Sequence, residues 1–478
     1  MRFAGVFNPF KYKVHEENIR IVQKYFGMFP PMGLAWTAAI AREAGHDVTI
    51  VDARTLELTK EETLKRLRAF DPDIIGFTMT TYMFPETLEW IKYLKKALDV
   101  PVVVGGYNLR VYPEESLIHP EIDFGVIEHA LETIPGLFSA LEGTCHFKDV
   151  PGLAYKENGQ IKLTPVNPVD FDKFPSPARN LLPNHLYAEF PTERKNFTVM
   201  VTSLGCPFTC SFCEAGGTEY NPRSVMTVVN EMEECYHKYG IREIDIFDYD
   251  FTIDKDRTMN ICQEILNRGL DILWACRSRI GIDTDLLRLM KDAGCGRIYY
   301  GIESGSQEIL DRINKGITLG QIRDAVTSTK ALGIKTLGFF LIGAPGETTE
   351  TIKKTVKFAR ELDLDYVQFS KCLAKPLTPL WDQMVRETGK DYWKDWVLGK
   401  ETDRSLPRPW TDLSNPDIDR LARWAYLSFY TRSGFLWRSS LNIRSFSEFK
   451  RKFRGLIDMV FRQEKISTKD DDFVAYHE

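Results

Sequence analysis

The chain is 478 residues long, 43% hydrophobic and 27% charged, with a formal net charge of −5. That length implies roughly two to four domains. The composition is that of a soluble globular protein, and the small negative charge excludes a global pull toward nucleic acid or anionic lipid. No stretch approaches the ~20 apolar residues needed to span a bilayer. Met1–Phe10 shows no basic region followed by an apolar run, so a cytoplasmic protein is expected.

Residues 1–145 alternate between strand and helix patterns. Arg2–Phe7, Asp47–Asp52, Ile74–Thr78, Pro101–Val104 and Phe124–Ile127 read as strands. Gly33–Ala44, Lys60–Ala69, Pro85–Leu98 and Thr133–Leu141 read as helices. Such alternation implies a parallel sheet covered on both faces. Residues 146–196 hold a hairpin signal at Asn158-Gly159 and then prolines at 165, 168, 175, 177, 183 and 191, so they read as an ordered linker. Alternation resumes over 197–375. Strands are expected at Phe197–Thr202, Glu243–Asp248, Ile272–Cys276, Arg297–Gly301, Lys335–Leu341 and Tyr366–Ser370, with helices between them. These repeats fit an incomplete barrel or an open sheet, and periodicity does not choose between the two. Residues 376–478 lose the alternation and read as helical. From Arg420 to Arg454 there are nine Lys/Arg and one acid, Glu448, mixed with aromatic residues.

Of the nine cysteines, six are scattered and read as small buried hydrophobes. Cys206, Cys210 and Cys213 share one loop after the strand at 197–202. Thiolates are the usual ligands of iron–sulfur clusters, and three of them leave one iron of a four-iron cube without a protein ligand. A zinc site would want a fourth Cys or His and paired C-x-x-C ends. Three core cysteines are the other alternative, although three thiols on one loop are rarely core filling.

C-x-x-x-C-x-aromatic-C in this position resembles the signature of the radical S-adenosylmethionine (SAM) superfamily. Tyr299–Gly305 resembles that family's G-x-E-S-G strand end, Leu341–Thr348 its G-x-P-G-E-T turn, and Arg279 its recurrent arginine after the third strand. The resemblance implies a 4Fe-4S cluster on Cys206, Cys210 and Cys213. It also implies SAM contacts at Phe212, Arg279, Glu303, Ser304, Gly343, Pro345, Gly346 and Glu347. Reductive cleavage of SAM would then give a 5′-deoxyadenosyl radical. A carboxylate such as Glu303 suits ribose hydroxyls, and a glycine turn lets backbone approach a base. Asp245, Asp248, Asp250 and Asp254 cluster after the second strand, either as substrate or proton contacts or, as is commoner, as helix caps.

The order of domains resembles the class with an N-terminal cobalamin-binding, Rossmann-like domain, which includes anaerobic Mg-protoporphyrin ester cyclases and hopanoid methylases. Pro30–Ala35, Asp71–Thr78 and Val102–Gly106 carry the likeness. It implies cobalamin contacts at Thr78, Thr80, Gly105, Gly106 and Glu128. Two features depart from the class. There is no D-x-H-x-x-G, so no histidine ligand to cobalt is expected, and Ile127–Glu132 stands where G-E-G-E is usual.

The expected fold is therefore α/β: a Rossmann-like doubly wound parallel sheet (1–145), a linker (146–196), a partial (β/α)6 TIM-type barrel (197–375) and a helical C-terminal cap (376–478). The implied function is that of a cobalamin-dependent radical SAM enzyme, most simply a C-methyltransferase acting on an unactivated carbon. The alternatives are an oxidative cyclase or oxidoreductase, and a non-catalytic cobalamin or metal sensor. A methylthiotransferase would need extra cluster cysteines, and residues 1–145 hold only Cys145. The implied partners are a small-molecule, lipid or tetrapyrrole substrate and a flavodoxin or ferredoxin donor. No nucleic-acid module is seen. A peripheral membrane contact through 420–454 competes with a pocket cap and a helical bundle.

Overall fold

The computed structural model describes residues 1–10, 27–400, 406–432 and 435. Two compact units emerge. The described part of the first comprises residues 1–10, 28–187 and 389–400.

The first unit is built on a seven-stranded sheet. Its strands are β1 (Arg2–Phe7), β2 (Asp47–Asp52), β3 (Ile74–Thr78), β4 (Val102–Gly105), β5 (Phe124–Val126), β6 (Leu153–Glu157) and β7 (Gln160–Leu163), in the order β2-β1-β3-β4-β5-β6-β7. The first five run parallel, and β6 and β7 close the sheet antiparallel. Helices α1 (Met32–Glu43), α2 (Lys60–Phe70), α3 (Phe84–Leu98) and α4 (Ala130–Leu141) alternate with the strands. The chain reverses direction across the sheet between β1 and β3, and such a switch point opens a crevice beyond the carboxyl ends of the strands.

The segment read as a linker contributes more than a wrap. Its hairpin, β6 and β7, extends the sheet. Asn158 (φ 52°) and Gly159 (φ 75°) both take left-handed backbone, as a two-residue type I′ turn requires. Leu153, Ala154 and Tyr155 are buried against an edge that would otherwise be open. Part of the expected C-terminal cap also belongs here. The short helix Tyr392–Val397 buries Trp393 against the Tyr82 ring at 5.1 Å, Trp396 Nε1 donates to the Thr81 carbonyl (3.1 Å), and Tyr112 donates to Asp391 (3.0 Å). Two tryptophans with apolar area to hide decide where this segment packs.

The second unit carries six parallel strands in strict chain order: β8 (Phe197–Met200), β9 (Glu243–Ile246), β10 (Leu273–Ser278), β11 (Cys295–Glu303), β12 (Lys335–Ile342) and β13 (Tyr366–Lys371). This is the partial (β/α)6 barrel, curled but not closed. Its helices are α5 (Val225–Lys238), α6 (Lys255–Asn267), α7 (Thr284–Asp292), α8 (Leu319–Ala331) and α9 (Thr349–Glu361). They begin at Ser224, Asp254, Asp283, Thr318 and Thr348, whose side chains each accept from a backbone N–H of the first turn. Each such cap satisfies a donor the helix start leaves orphaned, and Asp254 is thereby a cap. Ala275, Tyr299 and Leu337 pack together inside, with Phe339 and Tyr366 against them.

Several buried charges within this unit are paired. Arg297 donates to the Tyr299 hydroxyl (2.9 Å) and pairs with Glu243 (3.3 Å), while Tyr299 donates to Glu189 (3.0 Å). Arg277 pairs with Asp245 (3.1 Å). Buried ions without partners would cost several kcal/mol each, and this network explains why Asp245 lies in the interior.

Helix α10 (Asn415–Tyr430) covers the outer strand. The Tyr426 hydroxyl accepts from Phe369 N (3.0 Å), and Tyr430 bonds both backbone groups of Val367. Tyr426 and Phe429 are buried and belong to the core, while Trp424 on the same helix is exposed. Trp437, Arg438 and the basic run to 454 lie outside the described residues. Among the described residues, no helix is long and apolar enough to cross a membrane.

Candidate functional site

The cysteine loop leaves the end of β8 and is fixed at both ends. Asp248, buried, accepts from Thr202 N (2.6 Å), Thr202 Oγ1 (2.5 Å) and Ser203 Oγ (2.7 Å), so it anchors the loop's start. Ser203–Leu204 pairs antiparallel with Asn221–Pro222, which ties down the far end. Between them Gly205 takes φ 74°, and a Cβ there would drive into the backbone carbonyl of Glu219, whose carbon would lie 2.7 Å away. Cys206 N donates to Thr218 Oγ1 (3.0 Å) and its carbonyl accepts from Thr218 N (3.1 Å).

Cys206 and Cys210 are buried and Cys213 is partly buried. Burial raises the Cys206 thiol above its ordinary range and pushes Cys213 up to about 11. Left alone these groups would stay protonated, whereas bound iron supplies the positive charge that makes thiolates. Among the described residues, no three Cys, His, Asp or Glu side chains form a cage for a single metal ion. The donor set, three thiols on one glycine-shaped loop, fits a cluster.

Beside this loop lies a turn that the sequence reading missed, Ile313–Gly316. Asn314 Nδ2 donates to the Thr209 carbonyl (3.1 Å) and Oγ1 (2.7 Å), and Ser211 N donates to the Ile313 carbonyl (3.1 Å). Arg279 donates from Nη1 to Cys210 Sγ (3.4 Å) and from Nη2 to the Lys315 carbonyl, with its guanidinium 3.9 Å from the Phe208 ring centre. Lys315 Nζ, buried, donates to Glu303 Oε1 at 2.7 Å and sits 5.9 Å from the Phe212 ring centre. Thus Phe212, Arg279 and Glu303, far apart in sequence, meet around one unforeseen lysine. The available signal was Asn314-Lys315-Gly316, a left-handed turn following a helix.

Glu303 takes φ 66°, a conformation unusual for a side chain other than glycine, and such strain gathers at functional sites. Ser304 is turned elsewhere: its hydroxyl meets Thr355 Oγ1 (3.1 Å) on α9 and accepts from Ser306 N (3.2 Å). The turn after β12 is held from the C-terminal segment. Trp410 Nε1 donates to the Gly343 carbonyl and Gly346 N to the Trp410 carbonyl, both at 2.9 Å. A Cβ on Gly343 (φ 80°) would strike Ile418 at 2.7 Å. Glu347 Oε2 accepts from Gly343 N (2.6 Å) and Ala344 N (3.0 Å), while its buried Oε1 has no hydrogen-bond partner among the described residues. Burial pushes this carboxyl up to about 8. Pro345 is half-buried in the same turn. A carboxyl group with one oxygen fixed and the other unsatisfied fits a ligand rich in donors and acceptors, as SAM is.

A model of the radical SAM superfamily matches residues 200–359, and one of the B12 binding domain matches residues 20–138. An uncharacterized methyltransferase of Pyrococcus horikoshii is 36% identical over 441 residues, covering 91% of this chain and 94% of that protein. The anaerobic magnesium-protoporphyrin IX monomethyl ester cyclase of Rubrivivax gelatinosus is 29% identical, covering 75% of this chain and 67% of that one. Among solved structures, the cobalamin-dependent radical enzyme OxsB, with aqua-cobalamin and SAM bound, has a TM-score of 0.71 at 17% identity, covering 96% of this chain and 71% of that chain.

The chain belongs to the radical SAM superfamily.

It is a cobalamin-dependent radical SAM enzyme, with a 4Fe-4S cluster, SAM and cobalamin as cofactors. In the B12-binding domain the residues singled out from sequence lie at the carboxyl ends of the strands. Thr78 closes β3 and Gly105 closes β4. Gly106 (φ 105°) sits against Met79, whose carbonyl oxygen a Cβ would meet at 2.6 Å and whose amide at 3.1 Å, so this glycine serves the packing of the strand ends themselves. Gly33 at the start of α1 is exposed and has only Thr78 Oγ1 near its missing Cβ (3.8 Å). Gly33 leaves bare backbone beside Thr78 at the crevice, room that fits a broad flat group, whereas a Cβ on Gly105 would meet Val126 Cβ at 3.6 Å. Thr80 is half-buried just beyond β3. Glu128 is held by Arg110 (3.1 Å) and lies 3.9 Å from His129.

Proposed function

We propose that this enzyme is a C-methyltransferase acting on an unactivated carbon of a small-molecule, lipid or tetrapyrrole substrate. The observation that supports it best is the pairing of an intact cysteine loop and Glu303–Lys315 hub with a B12-binding domain, in a chain whose near-full-length relative is named a methyltransferase. When bound, the cluster and SAM would supply hydrogen-atom abstraction, and cobalamin would pass on a methyl group taken from a second SAM.

The protein's own groups do the holding. Cys206, Cys210 and Cys213 ligate the cluster, and Arg279 places positive charge beside Cys210. Glu303 accepts hydroxyl hydrogen bonds from SAM, with Phe212 beside it. Gly343, Pro345, Gly346 and Glu347 form the wall for its base, and Ser304 keeps the Glu303 strand end registered to α9. Thr78, Thr80 and Gly105 receive cobalamin at the switch-point crevice, with Gly106 letting the strand ends pack behind them and Glu128 at its edge. A flavodoxin or ferredoxin supplies electrons. A second reading, oxidative ring closure, is favoured by the cyclase relative.

The two readings separate on product mass. With SAM carrying a deuterated methyl group, the methyltransferase reading predicts label in the product, whereas an oxidised product without label supports the cyclase.

A further inference from the structure

We propose that Lys315 is a positioning residue for SAM, fixing the Glu303 carboxylate to the cluster-binding loop so that nucleotide and iron are held at one set distance. The inference rests on Glu303 being a SAM ligand. Four observations converge on the lysine. Its ammonium is buried and bonded to Glu303 (2.7 Å). Its carbonyl accepts from Arg279, which also reaches Cys210. The residue before it, Asn314, is bonded twice to Thr209 inside the cysteine loop. Lastly, the protein makes room for the pair: a Cβ on Gly301 would meet Lys315 Nζ at 2.7 Å and Glu303 Oε1 at 2.8 Å.

The chemistry follows from burial. A carboxylate out of water needs a counter-charge to stay ionised, and an ionised carboxylate accepts through both oxygens. With Oε1 given to the ammonium, Oε2 is left to meet a hydroxyl pair. Strained backbone at Glu303 also persists only where its surroundings over-determine it, and the lysine is part of that restraint. Arginine could reach the same carboxylate with its planar fork, whereas methionine keeps the length and drops the charge.

The test uses anaerobically reconstituted full-length protein without reductant, with SAM binding followed by equilibrium dialysis beside iron content and the cluster's absorption spectrum. Lys315→Met is expected to weaken SAM binding at least about tenfold, as losing a charged hydrogen bond does, with iron unchanged. Lys315→Arg is expected to recover most of that loss. Because Lys315→Met leaves Glu303 uncompensated, the double variant Glu303→Gln/Lys315→Met removes both charges and is expected to bind no more weakly than Glu303→Gln alone. Wild-type affinity in Lys315→Met would overturn the proposal. So would losses that multiply in the double variant, or iron loss in both Lys315→Met and Lys315→Arg. Wild-type SAM affinity in Glu303→Gln would instead overturn the underlying assignment of Glu303.

Discussion

Gly205→Ala tests whether the cysteine loop depends on one backbone conformation and not only on its thiols. Two costs add. A non-glycine residue at φ 74° pays roughly 1–2 kcal/mol for left-handed backbone. The new methyl also overlaps the carbonyl group of Glu219 and comes within 3.2 Å of Thr218 Oγ1, the acceptor for Cys206 N. Backbone cannot rotate aside as a side chain can, and forced overpacking costs about 1–3 kcal/mol. A central figure of about 3 kcal/mol corresponds to a Tm loss of about 6–12 °C in a domain of this size. Gly269→Ala is the control, because Gly269 has φ 61° and none of the described residues comes within 4 Å of its missing Cβ. It carries only the first cost. The assay is iron per chain after anaerobic reconstitution and desalting, alongside thermal unfolding. Gly205→Ala should lose most of its iron and melt well below Gly269→Ala. Full iron at the Tm of the control would refute the reasoning.

Asp248→Ala should lower iron retention and cost about 1–3 kcal/mol, since it strands the buried Thr202 N–H; urea unfolding with iron analysis checks both. Glu347 has a folded pKa of about 8 against an ordinary 4.5, so the folded state holds the proton more tightly. That contribution is fully present below about pH 4.5 and is lost as pH rises through about 8. Glu347→Gln should therefore gain stability relative to wild type as pH rises from about 4.5 to about 8, with no further gain above; parallel slopes in pH-dependent melts over that range would count against it. Trp410→Phe removes the donor to the Gly343 carbonyl. It should weaken SAM binding several-fold with iron content unchanged, as equilibrium dialysis would show.

Much of the fold could be read from the chain because its signals are local. The parallel strands have the βα alternation, and Asn158-Gly159 has the turn chemistry of a hairpin. What the hairpin does was not local: Leu153–Tyr155 had to find an open sheet edge. The same holds for the Trp393 segment, whose burial is decided by Tyr82 and Thr81, more than 300 residues away in sequence. At the site, spacing and residue type singled out the three cysteines, and the family resemblance pointed to Glu303 and the Gly343–Glu347 turn. Lys315 was not legible: Asn314-Lys315-Gly316 signals a turn after a helix, but only folding brings the ammonium to Glu303. Asp254 showed the commoner fate of an aspartate before a helix, and Asp245 and Asp248 found partners on neighbouring segments.

The most direct measurement is iron and cobalt stoichiometry, with an absorption spectrum, on anaerobically purified and iron-reconstituted protein supplied with hydroxocobalamin. About four irons per chain, lost in Cys210→Ala, together with about one retained cobalt, is the predicted result for three-thiolate ligation in a cobalamin-dependent radical enzyme. Iron retained by Cys210→Ala, or zinc in place of iron, would contradict it.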